Sequence, residues 1–208
     1  MTKRFKLIIK HDQFVESPCE WGNWKAVSFN SRHLSFVHPD EILGSDGTGG
    51  LDIGLRRKLE CGTAFALSYY EHGLCSWSLN GEGTQCQWDT TQIAGILFLE
   101  APLKYTLVRG DKKATYKKRE EEARNFLKIY TEWCNGSTYM FRLVNVSTSP
   151  WEDREDDVWC GGMIGLDDLS ASIQDQLGDD GVIVADEGDS SGIAQYLDIQ
   201  REDRLAVA

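Results

Sequence analysis

Residues 5–10 alternate and then run apolar, which predicts a first strand. Ser17-Pro18 opens a turn-rich stretch over 16–24 that Gly22-Asn23 bends, and alternation over 26–29 predicts a second strand. Residues 30–50 carry His33 and His38-Pro39-Asp40-Glu41, then a Gly/Ser/Asp/Thr run at 44–50; Pro39 ends any helix before it and opens one at 40–43. Residues 51–61 fit a short basic helix closed by Gly62. A hairpin follows, 65–71 with 75–79, with His72-Gly73 at its turn. Residues 93–99 are apolar on both faces, the pattern of a central strand. A long helix is predicted over 113–135, because Tyr116, Ala123, Phe126, Leu127, Tyr130 and Trp133 recur at spacings of three and four and Asn135-Gly136 supplies a stop. Strands over 139–146 and 158–164 follow, the second broken by Gly161-Gly162, and then a helix over 167–177 capped by Asp167 or Asp168. Past Gly178 the chain is acidic and Gly-rich, with one apolar island at 182–185.

Strands outnumber helices without regular β-α alternation, so the expected class is α+β: a single, mostly antiparallel sheet of about five to seven strands with the 113–135 helix packed on a face. The expected plan is a globular α+β domain over 1–177 and an acidic, partly flexible C-terminal tail over 178–208. A length of 208 residues suits that plan, and 41% hydrophobic residues suffice to close a core.

Charge changes the picture more than composition does. Residues 151–208 hold 16 Asp/Glu and 3 Lys/Arg, a balance of −13, while the rest holds 17 and 19, a balance of +2; together these give the net −11. A near-neutral body argues against non-specific nucleic-acid binding, which needs clustered Lys/Arg. The acidic end either solvates the chain or mimics nucleic acid in a partner's basic groove, through the Asp/Glu of 152–157 and 179–189. Six cysteines, at 19, 61, 75, 86, 134 and 160, show no C-x-x-C spacing, so neither a zinc ribbon nor a thioredoxin-type motif is present. The N-terminus lacks a signal-peptide core and no window suits a membrane span, so a cytosolic chain with reduced, buried thiols is expected, without membrane partners.

Four sets of residues carry candidate chemistry. His33, His38, Asp40, His72 and Asp89 are metal-ligand or acid/base types, and zinc needs three or four such groups at about 2.0–2.3 Å. No H-E-x-x-H or H-x-H spacing links them, so only folding can assemble them; the alternative is that the imidazoles fix loop shape by hydrogen bonds. Cys86, with His72 and Asp89, outlines a Cys-His-Asp nucleophile set, beside the plainer reading of a buried thiol. The Gly44–Gly50 run leads into a helix as a phosphate cradle does, but no Gly-Lys-Ser/Thr ends it, and Asp46 and Asp52 repel phosphate. Trp21, Trp24, Trp77, Trp88 and Tyr70 are candidates to line a cleft that stacks a planar ligand, or else are ordinary core and rim.

Three ordered blocks carry a resemblance: Glu16-Ser17-Pro18-x-Glu20-Trp21-x-Asn23 with Phe29-x-x-Arg32-His33 and His38-Pro39-Asp40; Tyr69-Tyr70-Glu71-His72-Gly73 with Cys86-Gln87-Trp88-Asp89-Thr90; and Tyr130 to Tyr139 with Asn135-Gly136, then Trp159-Cys160-Gly161-Gly162 and Gly165. Over about residues 5–170 the chain resembles a family of uncharacterised proteins encoded by tailed bacteriophages. Members often read Ser-Pro-Arg-Glu-Trp-Asp-Asn, where Cys19 and Gly22 stand here. The resemblance implies phage origin and expression in the host cytoplasm, and brings no activity with it.

Two functional classes follow. One is a phage accessory protein that binds a host or defence component without catalysis, through residues drawn from Trp21, Arg32, His33, His38, Asp40, Tyr70, His72, Trp88 and Asp89, with a small-molecule ligand as a further candidate. The other is a metal-dependent hydrolase or nuclease. No cofactor is expected beyond a divalent metal, whose candidate ligands are His33, His38, His72 and Asp89.

Overall fold

The computed structural model describes residues 2–33, 35–44, 50–101, 103–146, 157–188, 192–199 and 201, with the backbone alone at 187 and 188. In chain order the elements are β1 (Lys3–His11), β2 (Trp24–Ser28), α1 (Pro39–Leu43), α2 (Ile53–Cys61), β3 (Ala64–His72), β4 (Leu74–Leu79), β5 (Thr90–Leu99), α3 (Lys112–Cys134), β6 (Thr138–Asn145), β7 (Val158–Ile164), α4 (Leu166–Leu177) and β8 (Gly181–Gly188). The α+β class stands. The strands, however, form two sheets of four rather than one, in the orders β7-β6-β1-β8 and β2-β5-β3-β4.

The chain divides accordingly into two compact units, Met1–Glu16 with Gly136–Ala208, and Ser17–Asn135. In the first, β1 and β6 pair antiparallel from Phe5↔Asn145 to His11↔Tyr139. Past their ends the Asp12 N–H donates to the Thr138 carbonyl at 2.9 Å, and the Thr138 hydroxyl donates back to the Asp12 carbonyl at 2.7 Å. The second unit is thus inserted in the connection of an antiparallel pair. This is why a single-sheet reading fails: everything between β1 and β6 closes a sheet of its own. Phe5, Leu7 and Ile9 alternate on one face of β1 and pack with Leu169, Ile173 and Leu177 of α4, which recur at four residues. Leu169 and Ile173 are fully buried, each contributing about 2 kcal/mol.

The division expected at residue 177 is also displaced. Residues 181–188, expected within a tail, form β8, which pairs parallel with β1 from Lys3↔Gly181 onward. Ile183 of the apolar island is buried against the first core, and the Lys3 N–H donates to the Asp180 carbonyl at 2.9 Å. Acidic flanks and a short apolar run disguise an edge strand as a solvated tail. Residues 189–191, 200 and 202–208 of that expected tail lie outside the described residues.

In the second unit β5 is central, between β2 and β3, as its two apolar faces require. On one face Phe65, Leu67, Trp77, Leu79 and Leu97 pack with Ala123, Phe126, Leu127 and Tyr130 of α3. On the other, Ala64 and Ile96 pack with Leu55 of α2, with Ile42 and Leu43 of α1 beside them. Side-chain and glycine caps bound the helices, Gly62 where the sequence predicts a stop. The Asp52 side chain accepts from the Leu55 N–H at 3.0 Å, Gly62 closes α2 with φ 71°, and the Asp111 side chain accepts from the Ala114 N–H at 2.9 Å to open α3.

Gly95 lies between two partners, Ser28 of β2 and Leu67 of β3. A Cβ there would stand 2.2 Å from the Val27 carbonyl oxygen. Gly95→Ala is expected to destabilise the protein by about 1–3 kcal/mol, since backbone must move to admit the methyl. Urea unfolding measures it; an unchanged midpoint would show that β2 and β5 do not approach this closely.

Candidate functional site

The last turn of α3 lies along the free edge of β4, and its side chains take over the missing ladder. The Trp77 N–H donates to the Thr131 hydroxyl at 3.0 Å. The Cys75 N–H donates to Asn135 Oδ1 at 2.8 Å, and Asn135 Nδ2 donates to the Cys75 carbonyl at 2.9 Å. Asn135 therefore acts as a one-residue strand, bonded through both groups of its amide.

That docking gathers a corner around His33. Its Nε2 lies 3.3 Å from the Tyr130 hydroxyl and 3.5 Å from Cys134 Sγ, and its Nδ1 lies 2.9 Å from the Ser35 hydroxyl. The Ser35 N–H also donates to Nδ1, at 3.4 Å. The imidazole meets Trp77 edge-on at 5.2 Å between ring centroids. Burial lowers the His33 pKa below its ordinary 6.5, so the ring is held neutral. Burial likewise pushes the Tyr130 and Tyr69 hydroxyls above their ordinary value. The corner is a packed junction in which the neutral His33 ties Ser35 to Tyr130 and Cys134.

The second gathering is at the turn end of β3 and β4. His72 Nδ1 lies 3.4 Å from Asp89 Oδ2, and the Cys86 thiol donates to the same oxygen at 3.4 Å. The three members of the expected Cys-His-Asp set do meet, but with the carboxylate in the middle. A nucleophile needs the imidazole between thiol and carboxylate, so this order pins a turn rather than activating sulfur. The turn is closed further by the Thr90 N–H to the Cys86 carbonyl at 3.0 Å, the Cys86 N–H to the Thr90 hydroxyl at 2.9 Å, and the Glu71 N–H to the Asp89 carbonyl at 3.1 Å. Trp88, inside this turn, is 85% exposed, and Leu74, across from His72, is 67% exposed. Tyr70 pairs with Thr90 on β5 and is half-buried.

The remaining expected residues stand apart from both. His38 caps α1, its Nδ1 accepting from the Asp40 N–H at 3.4 Å and lying 3.4 Å from the Asp40 carboxylate. Arg32 is exposed, and its N–H donates to Asn30 Oδ1 at 3.0 Å. The four metal candidates therefore divide among three places, and among the described residues no group of three or more His, Cys, Asp or Glu is set to hold a metal ion. The cleft-lining aromatics divide too: Trp21 and Trp24 line a hollow with Leu103, Tyr105, Glu122 and Phe126, while Trp77 is core. Of the expected phosphate cradle, residues 45–49 lie outside the described residues. No described helix is long and apolar enough to cross a membrane.

Sequence reasoning missed Ile93, a β-branched residue at φ 50° on the bulged side of β5, half-exposed. Its N–H donates to Asn80 Oδ1 at 3.0 Å, and the buried Ser68 hydroxyl joins Gln92 at 2.9 Å and Asn80 at 3.3 Å. That polar network holds the strained residue in place. Also missed were Thr131, Cys134 and Asn135 as contacts of β4; the available signal was their position on the last turn of the one long helix.

Compared with protein-family models, curated proteins and solved structures, the chain finds no match. The three ordered sequence blocks fall in both units, Ser17 to Asn135 in the second and Glu16, Gly136 to Tyr139 and Trp159 to Gly165 in the first, where Trp159 stacks under Arg142 at 4.9 Å.

Two measurements check this geometry. Asn135→Ala leaves the Cys75 N–H and carbonyl without their partner and is expected to cost about 1–3 kcal/mol in urea unfolding; a smaller loss would mean water replaces the amide freely. For His33, the unfolded imidazole takes a proton near its ordinary 6.5 while the folded one resists until lower pH. Its contribution is thus complete above about pH 6.5 and is lost as pH falls from there towards the folded value. His33→Gln should flatten stability against pH in that acidic window, and an unchanged profile would contradict the buried, neutral ring.

Proposed function

We propose that this protein acts by binding a protein partner, a host or defence component in the infected cell, without chemistry of its own, and that the turn end of β3 and β4 makes the contact. The observation that carries this reading is Trp88: a large indole left 85% exposed on a turn that its neighbours hold closed without it. Trp on a preordered turn is the residue type that anchors protein interfaces, because it brings wide apolar area and one donor at low entropic cost. Leu74 extends the apolar area at the same end, and His72 with Asp89 supplies a polar rim. The phage origin and cytoplasmic setting rest on the resemblance alone. The alternative, a metal-dependent hydrolase or nuclease, draws on the His72–Asp89 pair, which supplies two of the groups such a centre needs.

Tagged wild-type protein and Trp88→Ala, both checked for unchanged thermal stability, are used to capture partners from bacterial lysate, and the affinity of the recovered protein is then measured with purified components. An interfacial anchor predicts a loss of about 30-fold or more for Trp88→Ala. Equal affinity would overturn the assignment of the site. Stoichiometric metal in the purified wild type, lost from both His72→Ala and Asp89→Ala, would favour the alternative.

A further inference from the structure

The Asn135 amide is bonded to both backbone groups of Cys75, and Cys134 is the residue before it. The docking of α3 on β4 thereby delivers one thiol to the other, and the two are hydrogen-bonded sulfur to sulfur. His33 Nε2 lies 3.5 Å from Cys134 Sγ on a further side. Both cysteines are half-buried. Three other thiols are engaged elsewhere: Cys19 with the Ala26 N–H, Cys61 with the Lys58 carbonyl, Cys86 with Asp89.

We infer that Cys75 and Cys134 are a redox pair, which a hydroperoxide converts to a reversible disulfide, with Cys75 as the attacking sulfur and Cys134 as the resolving one. The hydrogen bond between the two sulfurs supports the roles: it lowers the Cys75 pKa and raises that of Cys134, so Cys75 is the readier thiolate. The Cys75 thiolate attacks the terminal oxygen of the hydroperoxide, forming S–O and breaking O–O, and the leaving oxygen departs with a proton as an alcohol, or as water from hydrogen peroxide. The Cys134 sulfur then attacks the sulfenic sulfur of Cys75, forming S–S and breaking S–O, and hydroxide leaves with the Cys134 proton as water. Two thiols are oxidised and one peroxide is reduced. The bond covalently fixes the last turn of α3 to the edge of β4, where Asn135 already holds it.

Hydrogen peroxide, at one equivalent on the native full chain, tests this. Two free thiols per chain should be lost with a mass decrease of two hydrogens, peptide mapping should join Cys75 to Cys134, and Tm should rise by several degrees and fall back on adding dithiothreitol. In Cys134→Ser the sulfenic acid should persist and be trapped by dimedone on Cys75; Cys75→Ser should give no adduct on Cys134. Cys134→Ala serves if the serine variant does not fold. Alkylation of both Cys75 and Cys134 after peroxide, a disulfide between other cysteines, or a dimedone adduct on Cys134 instead of Cys75 would overturn the inference.

Discussion

An edge strand carries a row of unpaired backbone groups, and the second unit ends its sheet by answering that row with side chains. Four residues of α-helix rise about 6 Å, and two residues of strand advance about 6.6 Å. Thr131 of α3 and its C-cap Asn135, four apart, therefore meet Trp77 and Cys75, two apart on β4. The match of the two periods fixes the register of helix on strand. Tyr130 and Cys134, one residue earlier in each case, are then carried to His33. A slip of one residue in β4 would turn Trp77 out of the core and replace it with Ser76. The packing of the aromatic corner, the burial of His33 and the meeting of the two thiols all depend on this one register.

The elements were legible because each is encoded locally. The 3.6-residue recurrence of Ala123, Phe126, Leu127 and Tyr130 is the buried stripe of α3, and the apolar run of β5 is its central position. Which strands pair was not legible. Asp12 and Thr138 are 126 residues apart, and the alternation of β1 suits either sheet. Nothing in a strand's own pattern names its neighbour; only the complementarity of two distant faces does. The acidic segment failed for a related reason. Asp179, Asp180 and Asp186 solvate the flanks of Ile183, so its burial is visible only once β1 is known to lie alongside.

The sites divide by the same rule of distance. His72 and Asp89 were legible as a pair because a tight hairpin and the strand that follows it return the chain to the same end of the sheet. His33 and Cys134, 101 residues apart, were not. His38 and His72 are each satisfied within a few residues or across one hairpin by a single carboxylate, which is the economy of a cap or a turn, whereas a metal centre needs donors from several elements pointing at one spot.

A single exposed apolar side chain is ordinary on a protein surface and by itself asks for no explanation. Trp88 differs through what surrounds it. Cys86, Asp89 and Thr90 close the 86–90 turn with both backbone and side-chain bonds, and none of those bonds involves the indole. The hydrogen bonds that close the turn are thus independent of the indole, most of whose apolar area faces solvent. Stability and recognition are separable at this position: a residue that contributes little to the fold is presented in a fixed place beside the exposed Leu74. On the proposed reading, an anchor presented this way would bind without first ordering its own loop, which removes part of the entropic cost of association. On that reading, the tight hydrogen bonding of the 86–90 turn would serve this preorganisation.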